Sequence, residues 1–407
     1  MRSEPSLTAE RPQGARDPRL LAEELVPTLR ARAAETDRLA KFPQATFEEL
    51  ESRGLFRLLY PKVYGGQEID TKTYMETIMA LGRGDMSVAW ATNILNGCTA
   101  SVASTMPAHV TDVVFASPGG ARVAGVFAAR SLKTRPQAGG TFIEEGVWAF
   151  NSGVQHANWD LLSVPIYDDS GAVVDEGLAL IPISQVEILD DWDTIGLRGT
   201  GSNTVRVRNV QVDADWILPF GRVRRENYRV ERFKHLWPLR ISPTANGAVV
   251  LSYPALGAAE AALELFVEKA SKGGIQYTQY GRRAEAPVTH LIYGEASAKI
   301  DAAKLLAYRA VDEMSNAAKA GIELTPMEAA RIRRDTGLIE MLLWQAVDML
   351  ATGSGGSFIA GGNLLGRCWR DIRAGTMHGA ITPPTVLEFY GRLAFGMPSN
   401  MTLAGLK

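Results

Sequence analysis

The chain has 407 residues, a formal net charge of −2, 22% charged residues and 46% hydrophobic ones. That length supports two or three domains or one multilayer unit, and the even charge balance excludes an extended basic surface for nucleic acid or anionic lipid. Two cysteines, Cys98 and Cys368, exclude a disulfide framework and point to a reducing, cytoplasmic setting.

Residues 1–17 are charged and lack an apolar h-region, which predicts a frayed, disordered tail and not a signal peptide. Residues 18–119 are expected to form an N-terminal α-helical domain. LLAEELVPTLRARAAETDRLA carries apolar residues at three- and four-residue spacing. FPQATFEELESRGLFRLL follows as a short helix with Thr46 as its expected cap, and TYMETIMALGRGDMSVAWATNILNGCTASVAS supplies two apolar helices broken around Gly82–Gly84.

The texture changes over residues 120–224. Short runs rich in β-branched and aromatic residues, such as TFIEEGVWAF, LLSVPIYDDSG and NTVRVRNVQV, are separated by turn signals. Six to eight strands at that spacing predict a small antiparallel β-barrel or sandwich. Within it, GVWAFNSGVQHANWDLLSV has two readings. It is either a hairpin with core aromatics and a polar turn, or a flat aromatic wall with a hydroxyl at its rim, suited to an isoalloxazine ring. The segment DTIGLRGTGSNTV places Arg198, Thr200 and Ser202 in a loop before a strand.

Residues 225–407 read as a C-terminal four-helix bundle domain. Ile292, Ala296, Ile300, Ala303, Ala307, Ala310 and Met314 recur on one helical stripe, and GLIEMLLWQAVDMLA is a second helix ended by Gly353–Gly356. Two more helices are expected from about Ala245 to Lys272 and from Pro383 to about Phe395. The most apolar stretch, Thr244–Val267, is interrupted by Asn246, Ser252, Pro254 and Glu260 and reads as a buried helix, not a membrane span.

The five histidines, His109, His156, His235, His290 and His378, have no ligand spacing, so no metal site is expected. GSGGSFIAGG follows a helix and does not fit the dinucleotide pattern, and neither a nucleophile elbow nor a phosphate-loop lysine occurs. His378 lies between a bundle helix and Pro383–Pro384, where the chain must turn. It is there as a satisfied helix-end histidine or as a functional one.

GDMSVAW (Gly84–Trp90), WAFNSGVQHANW (Trp148–Trp159), GLRGTGSNTV (Gly196–Val205) and WRDIRAGTMH (Trp369–His378) occur in this order along the chain. Together they resemble the acyl-CoA dehydrogenase superfamily from about Leu20 to Ala404, a mainly α architecture with a central β-domain. Within it they are similar to the oxygenase components of two-component flavin-dependent monooxygenases, such as hydroxyphenylacetate hydroxylase, dibenzothiophene monooxygenase and the indole oxygenases. Acyl-CoA dehydrogenases commonly carry a glutamate base shortly after the Arg-Asp pair. Here Arg370–Asp371 is followed by IRAGTMHGAIT, which has no carboxylate to take a thioester α-proton.

The resemblance implies reduced FAD (or FMN) delivered by an NAD(P)H-dependent flavin reductase, and dioxygen as cosubstrate. A C4a-hydroperoxide would form and hydroxylate an electron-rich, aromatic molecule, in a homotetramer without metal. It implies catalytic roles for Ser152, near flavin N5, and for His378, expected to titrate near neutral pH. Flavin contacts would come from Phe127, Ser131, Trp148, Phe150, Asn151, Ser152, Arg198, Thr200, Arg282 (or Arg283), Gly355, Gly356 and Arg370, with the Gly353–Gly356 region reaching a neighbouring subunit's flavin. Trp90, Asn93, Asn96, Cys98 and Met377 would face the substrate. The sequence departs from the family pattern after GDMSVAW, where Asn93, Asn96 and Cys98 stand in place of a substrate-facing histidine. That departure leaves room for indoles, polyketide-type aromatics, sulfur heterocycles or amino groups. An acyl-CoA dehydrogenase-like enzyme with another base, an N-oxygenase and a catalytically silent binding protein are the alternatives.

Overall fold

A computed structural model describes residues 16–137, 139–220 and 231–401. The expected N-terminal tail therefore lies, over residues 1–15, outside the described residues.

The N-terminal part is helical: α1 (Pro18–Leu39), α2 (Gln44–Ser52), α3 (Thr71–Gly84), α4 (Met86–Thr105) and α5 (Ala108–Phe115). Capping side chains fix three of the starts, and at α1 Asp17 accepts the Arg19 N–H at 2.9 Å. Asp70 accepts the Thr73 N–H at 2.9 Å, and Asp85 accepts those of Ser87 and Val88 at 2.9 and 3.2 Å. Thr46 does not cap α2: extended Pro43 precedes Gln44, and Thr46 is buried inside the first turn. A proline with fixed φ at this junction sets the helix start three residues early.

Among the described residues eight strands follow, in two four-stranded sheets of order β1-β4-β5-β8 and β2-β3-β7-β6. They are β1 (Val123–Val126), β2 (Ser131–Gln137), β3 (Gly140–Asn151), β4 (Trp159–Tyr167), β5 (Val173–Pro182), β6 (Glu187–Ile188), β7 (Asn203–Asp213) and β8 (Ile217–Pro219). The all-antiparallel expectation fails at one pair, because β1 runs parallel to β4 in the register Val123↔Trp159. The β2–β3 hairpin belongs to the other sheet. The chain therefore leaves the first sheet after β1 and re-enters it at β4 in the same direction. Trp148 on β3 fills the space between the sheets, fully buried, its indole N–H reaching the Ser163 carbonyl of β4 at 3.2 Å.

The C-terminal part contains α6 (Pro243–Val249), α7 (Tyr253–Ala270), α8 (Pro287–Ala320), α9 (Pro326–Gly353), α10 (Leu364–Gly375) and α11 (Pro383–Ala394). The alanine stripe of α8 is buried as expected, with Ile292 partly covered. The bundle's membership differs from expectation. Helices α7, α8, α9 and α10 close the ring, and α11 packs outside against α9. Helix α10 buries a mixed face, with Leu365 and Ile372 beside the charged Arg367 and Asp371.

Helix α7 also runs along α3, where glycines permit backbone contact. A Cβ at Gly257 would lie 1.9 Å from the Met79 carbonyl oxygen, and one at Gly82 would lie 2.4 Å from that of Pro254. The Pro243–Ala270 stretch is long and apolar enough to cross a membrane, but 72% of that window is buried inside the protein, as a core helix should be.

Candidate active site

The end of β3, the first turns of α4 and the turn after α10 converge on one small set of side chains. Trp90 stands one turn past the Asp85 cap and is buried. Its Nε1–H donates to Ser152 Oγ at 3.2 Å. Its ring centroid lies 5.8 Å from that of His378, with the planes inclined by 55°. The two residues expected to be catalytic thus both lie against one indole.

Ser152 reaches this position because β3 ends irregularly. The β3–β7 register shifts between Trp148 and Asn151, Phe150 takes φ +67°, and Gly153 takes φ +75° against Ala91 and Leu95 of α4. Phe150 consequently points outward, 72% exposed and edge-on to Trp192, while Trp148 stays in the core. The two aromatics do not form a common wall. Ser152 is half-buried and heads a line of hydroxyls, with Ser152 Oγ 2.7 Å from Ser202 Oγ and Ser202 Oγ 2.6 Å from Thr200 Oγ1. Thr200 Oγ1 donates to the Leu197 carbonyl at 2.8 Å.

His378 accepts the Ala380 N–H at Nδ1 (3.2 Å), so its neutral ring carries the proton on Nε2. Burial pushes its pKa down to about 4. The residue nevertheless keeps an exposed surface, so its burial is one-sided. Only an unprotonated Nδ1 accepts the Ala380 N–H, which favours the neutral ring over the imidazolium. Partial enclosure acts in the same direction, holding the ring below the ordinary 6.5.

Beneath this set lies a buried ionic network that explains why the sequence motifs occur together. Arg367 on α10, 6% exposed, pairs with Asp85 at 2.9 Å, Asp37 at 3.5 Å and Asp371 at 3.6 Å, and also bonds the Ala33 carbonyl. Asp371 Oδ1 accepts the Leu197 N–H at 2.6 Å, and its Oδ2 accepts from Ser87 Oγ at 3.4 Å. Leu197 has φ +54°, and a Cβ at Gly196 would fall 2.2 Å from the Arg370 carbonyl oxygen. The GDMS, GLRG and WRD segments are in this way tied to one another.

Burial lowers the Arg367 pKa, but Asp85, Asp371 and Asp37 outweigh it and the net shift is upward. Burial raises Asp371 to about 6 against the pull of Arg367, and raises Asp85 as well. With two backbone N–H donors on Asp85, we take that carboxylate to hold its charge and Asp371 to be the more easily protonated of the two. A cavity of about 20 Å³, room for a water, opens against Asp85, Arg367 and Asp371.

Several expected site residues are engaged elsewhere. Asn93 accepts from Tyr74 (2.7 Å) and donates to the Val250 carbonyl (3.0 Å). Asn96 donates to the carbonyls of Leu55 (2.8 Å) and Thr92 (2.9 Å) and accepts from the Leu58 N–H (3.0 Å). Cys98 is buried in a second apolar cluster, which pushes its thiol up to about 12. Asn151 is buried and donates to Asp160 at 2.7 Å, and burial raises that carboxyl to about 7.

Arg198 bonds Asp193 at 2.5 Å and the carbonyls of Thr194 (2.8 Å) and Asp37 (3.0 Å), and Arg370 pairs with Asp37 at 3.1 Å. Arg282 pairs with Glu285 on the surface, and Arg283 donates to the Gly353 carbonyl at 2.6 Å. Gly355 and Gly356 are exposed, as are Ser131, Phe127 (41%) and Met377 (58%).

Sequence reasoning named Ser202 without giving it a role, and left out Arg367, Asp85 and Lys269. The Lys269 ammonium is pulled down by burial and by neighbouring Arg283, and it has no hydrogen-bond partner among the described residues. The i,i+4 spacing of Arg367 and Asp371 was the available signal for the network.

The set fits a flavin by its chemistry. A half-open hydroxyl and an imidazole N–H can meet polar ring edges, and exposed Phe127 and Phe150 offer apolar surface. Among the described residues, no group of three His, Cys, Asp or Glu could hold a metal ion.

Residues 18–106 match the family description "Acyl-CoA dehydrogenase, N-terminal domain" and residues 249–383 match "Acyl-CoA dehydrogenase, C-terminal domain". The chain is 31% identical to the flavin-dependent monooxygenase, oxygenase subunit HsaA of Rhodococcus jostii, over 93% of this chain and 98% of that one. It is 28% identical to the indole-3-acetate monooxygenase of Acinetobacter baumannii, over 90% and 91% of the respective chains. Among solved structures it is similar to XiaF from a Streptomyces species in complex with FADH2 and glycerol. The TM-score is 0.87 and the identity 29%, over 96% of this chain and 97% of that one.

Proposed function

The chain belongs to the acyl-CoA dehydrogenase superfamily, in the branch of flavin-dependent monooxygenase oxygenase components, and from that premise we propose that Ser152, Trp90 and His378 form its reaction site. It is a reduced-flavin-dependent monooxygenase that works with a flavin reductase and hydroxylates an aromatic small molecule. Reduced flavin, when bound, would supply the two electrons that activate dioxygen, one oxygen atom of which goes to the substrate and the other to water.

The chain's own residues fix where that oxygen goes. Ser152 Oγ, held by Trp90, meets a polar edge of the ring. His378 Nε2–H donates a hydrogen bond toward the oxygen or the substrate and stays neutral at physiological pH. Exposed Phe127, Phe150 and Met377 offer apolar surface that a bound ring or substrate would cover. Arg283 and Lys269 supply positive charge for the cofactor's phosphate end. We also assign the exposed 355–362 segment, where Ile359 is 86% exposed, to subunit contact in a homotetramer, and the enzyme to the cytoplasm.

The observation that carries this reading is the Ser152–Trp90–His378 cluster, combined with the full engagement of Asp371. The acidic residue nearest in sequence to His378 is spent on Leu197, Ser87 and Arg367, and an imidazole whose Nδ1 lone pair already accepts the Ala380 N–H is a poor base for a thioester α-proton. The test mixes the protein with reduced FAD and then oxygen, and measures hydrogen peroxide release against free reduced FAD. Slowed release, and hydroxylated product when an indole or phenol is present, support the proposal. Protein isolated with tightly bound oxidised flavin that an acyl thioester reduces would overturn it.

A further inference from the structure

We infer that Thr200 and Ser202 are positioning residues of a one-way hydroxyl relay that fixes Ser152 as a hydrogen-bond acceptor toward its ligand. This rests on the reading of Ser152 as a flavin contact.

The direction follows from counting protons. Trp90 Nε1 can only donate, so Ser152 Oγ accepts at 3.2 Å. At the other end the Leu197 carbonyl can only accept, and Thr200 Oγ1 gives it its single proton at 2.8 Å. That carbonyl also receives Trp192 Nε1–H at 3.1 Å and the Thr200 N–H at 3.2 Å, so the hydroxyl bond is the shortest of the three. With its proton spent, Thr200 must accept from Ser202 at 2.6 Å, and Ser202 must in turn accept from Ser152 at 2.7 Å.

All four bonds, Trp90→Ser152→Ser202→Thr200→Leu197, are then made. The reversed line makes only three and leaves the Ser152 proton pointing outward. Thr200 and Ser202 are buried, at 2% and 4% exposure, so water does not compete for the inner links. The Ser152 oxygen keeps one free lone pair on its half-open side, and its proton faces inward.

A flavin ring changes its hydrogen-bonding character with its redox state: N5 is an acceptor in the oxidised ring and an N–H donor in the reduced one. An acceptor-only Ser152 complements the second and not the first. The relay therefore biases the site toward the reduced cofactor before any chemistry takes place.

The test is the ratio of the dissociation constants for oxidised and reduced FAD, the latter titrated anaerobically, in the wild type and three variants. Ser202→Ala frees the Ser152 proton to turn either way. Thr200→Val, close to isosteric, leaves Ser202 with only Ser152 to donate to, which drives the Ser152 proton outward. Ser202→Thr keeps the relay. The oxidised-to-reduced ratio should fall roughly 2- to 10-fold in Ser202→Ala, fall further in Thr200→Val, and hold in Ser202→Thr. A purely structural role would weaken both forms together. An unchanged ratio in Ser202→Ala and Thr200→Val, with flavin still bound, overturns the relay alone. A wild-type protein that binds neither form overturns the flavin reading and the relay with it.

Discussion

The indole of Trp90 joins the two halves of the site, with its N–H on Ser152 Oγ at 3.2 Å and its ring 5.8 Å from the imidazole of His378. Trp90→Phe removes the donor and keeps an aromatic face for His378. Ser152 then loses one of its two fixed partners and rotates more freely. Peroxide released per product should rise about 2- to 10-fold, the range expected for one neutral hydrogen bond, with the thermal midpoint little changed. Ser152→Ala should do at least as much. Wild-type coupling in both variants would detach this pair from oxygen transfer.

His378 sets a pH expectation opposite to that of an ordinary histidine. Enclosure pushes its pKa down and the Ala380 N–H occupies Nδ1, so its charge should not change between pH 5.5 and 8. His378→Ala should lower the ratio of product to peroxide by a similar factor at every pH in that window, and His378→Gln, which keeps a donor N–H, should recover part of it. An inflection near pH 6.5 that disappears with the histidine would show that the ring titrates there after all.

Arg367 is the charge that makes the buried carboxylates tolerable. Removing it in Arg367→Met leaves Asp85 and Asp371, at 4% and 2% exposure, without a cation, and this should cost about 3–5 kcal/mol in urea unfolding. Adding Asp85→Asn keeps a capping side chain on α4 and removes one unpaired charge, so the double variant should be more stable than Arg367→Met alone. If the double variant is the less stable, the network is not governed by charge balance.

Much of the architecture was legible because it obeys simple periods. The stripe Ala296–Ile300–Ala303–Ala307–Ala310 is an apolar helix face, and it is buried as such. The failures come where long-range contacts overrule local pattern. Trp148 and Phe150 are two apart on a strand and should share a face, but the register shift and the positive φ of Phe150 send one inward and the other out. Asn93, Asn96 and Cys98 stand out on an apolar helix. The amides' partners are Tyr74, Val250, Leu55 and Leu58, which no local spacing reveals. Arg367 and Asp371 resemble a solvated i,i+4 pair. Only the fold shows that Asp85 and Leu197 close over them. Ser152 and His378 were legible as candidates, but Trp90 as the link between them was not, because an indole in an apolar helix reads first as core.

His156 provides a stability test separate from the site. Its ring stacks 3.9 Å from that of Phe42 and 5.2 Å from that of Phe47, and Nε2 has no hydrogen-bond partner among the described residues. Burial first, then the charges of Lys41 and Arg122, push its pKa down to about 4 from the ordinary 6.5. The folded protein therefore refuses a proton that the unfolded chain takes up. The stabilisation is complete above pH 6.5 and erodes as pH falls toward 4, because the unfolded state binds more protons across that window. The loss at pH 5 should be on the order of 1–2 kcal/mol. His156→Phe keeps an aromatic ring between Phe42 and Phe47 and has nothing to protonate. Urea midpoints at pH 7.5 and pH 5 should move apart less in this variant than in the wild type. Equal losses in the two proteins would mean that the acid sensitivity of the fold lies with other groups, the buried carboxylates around Arg367 first among them.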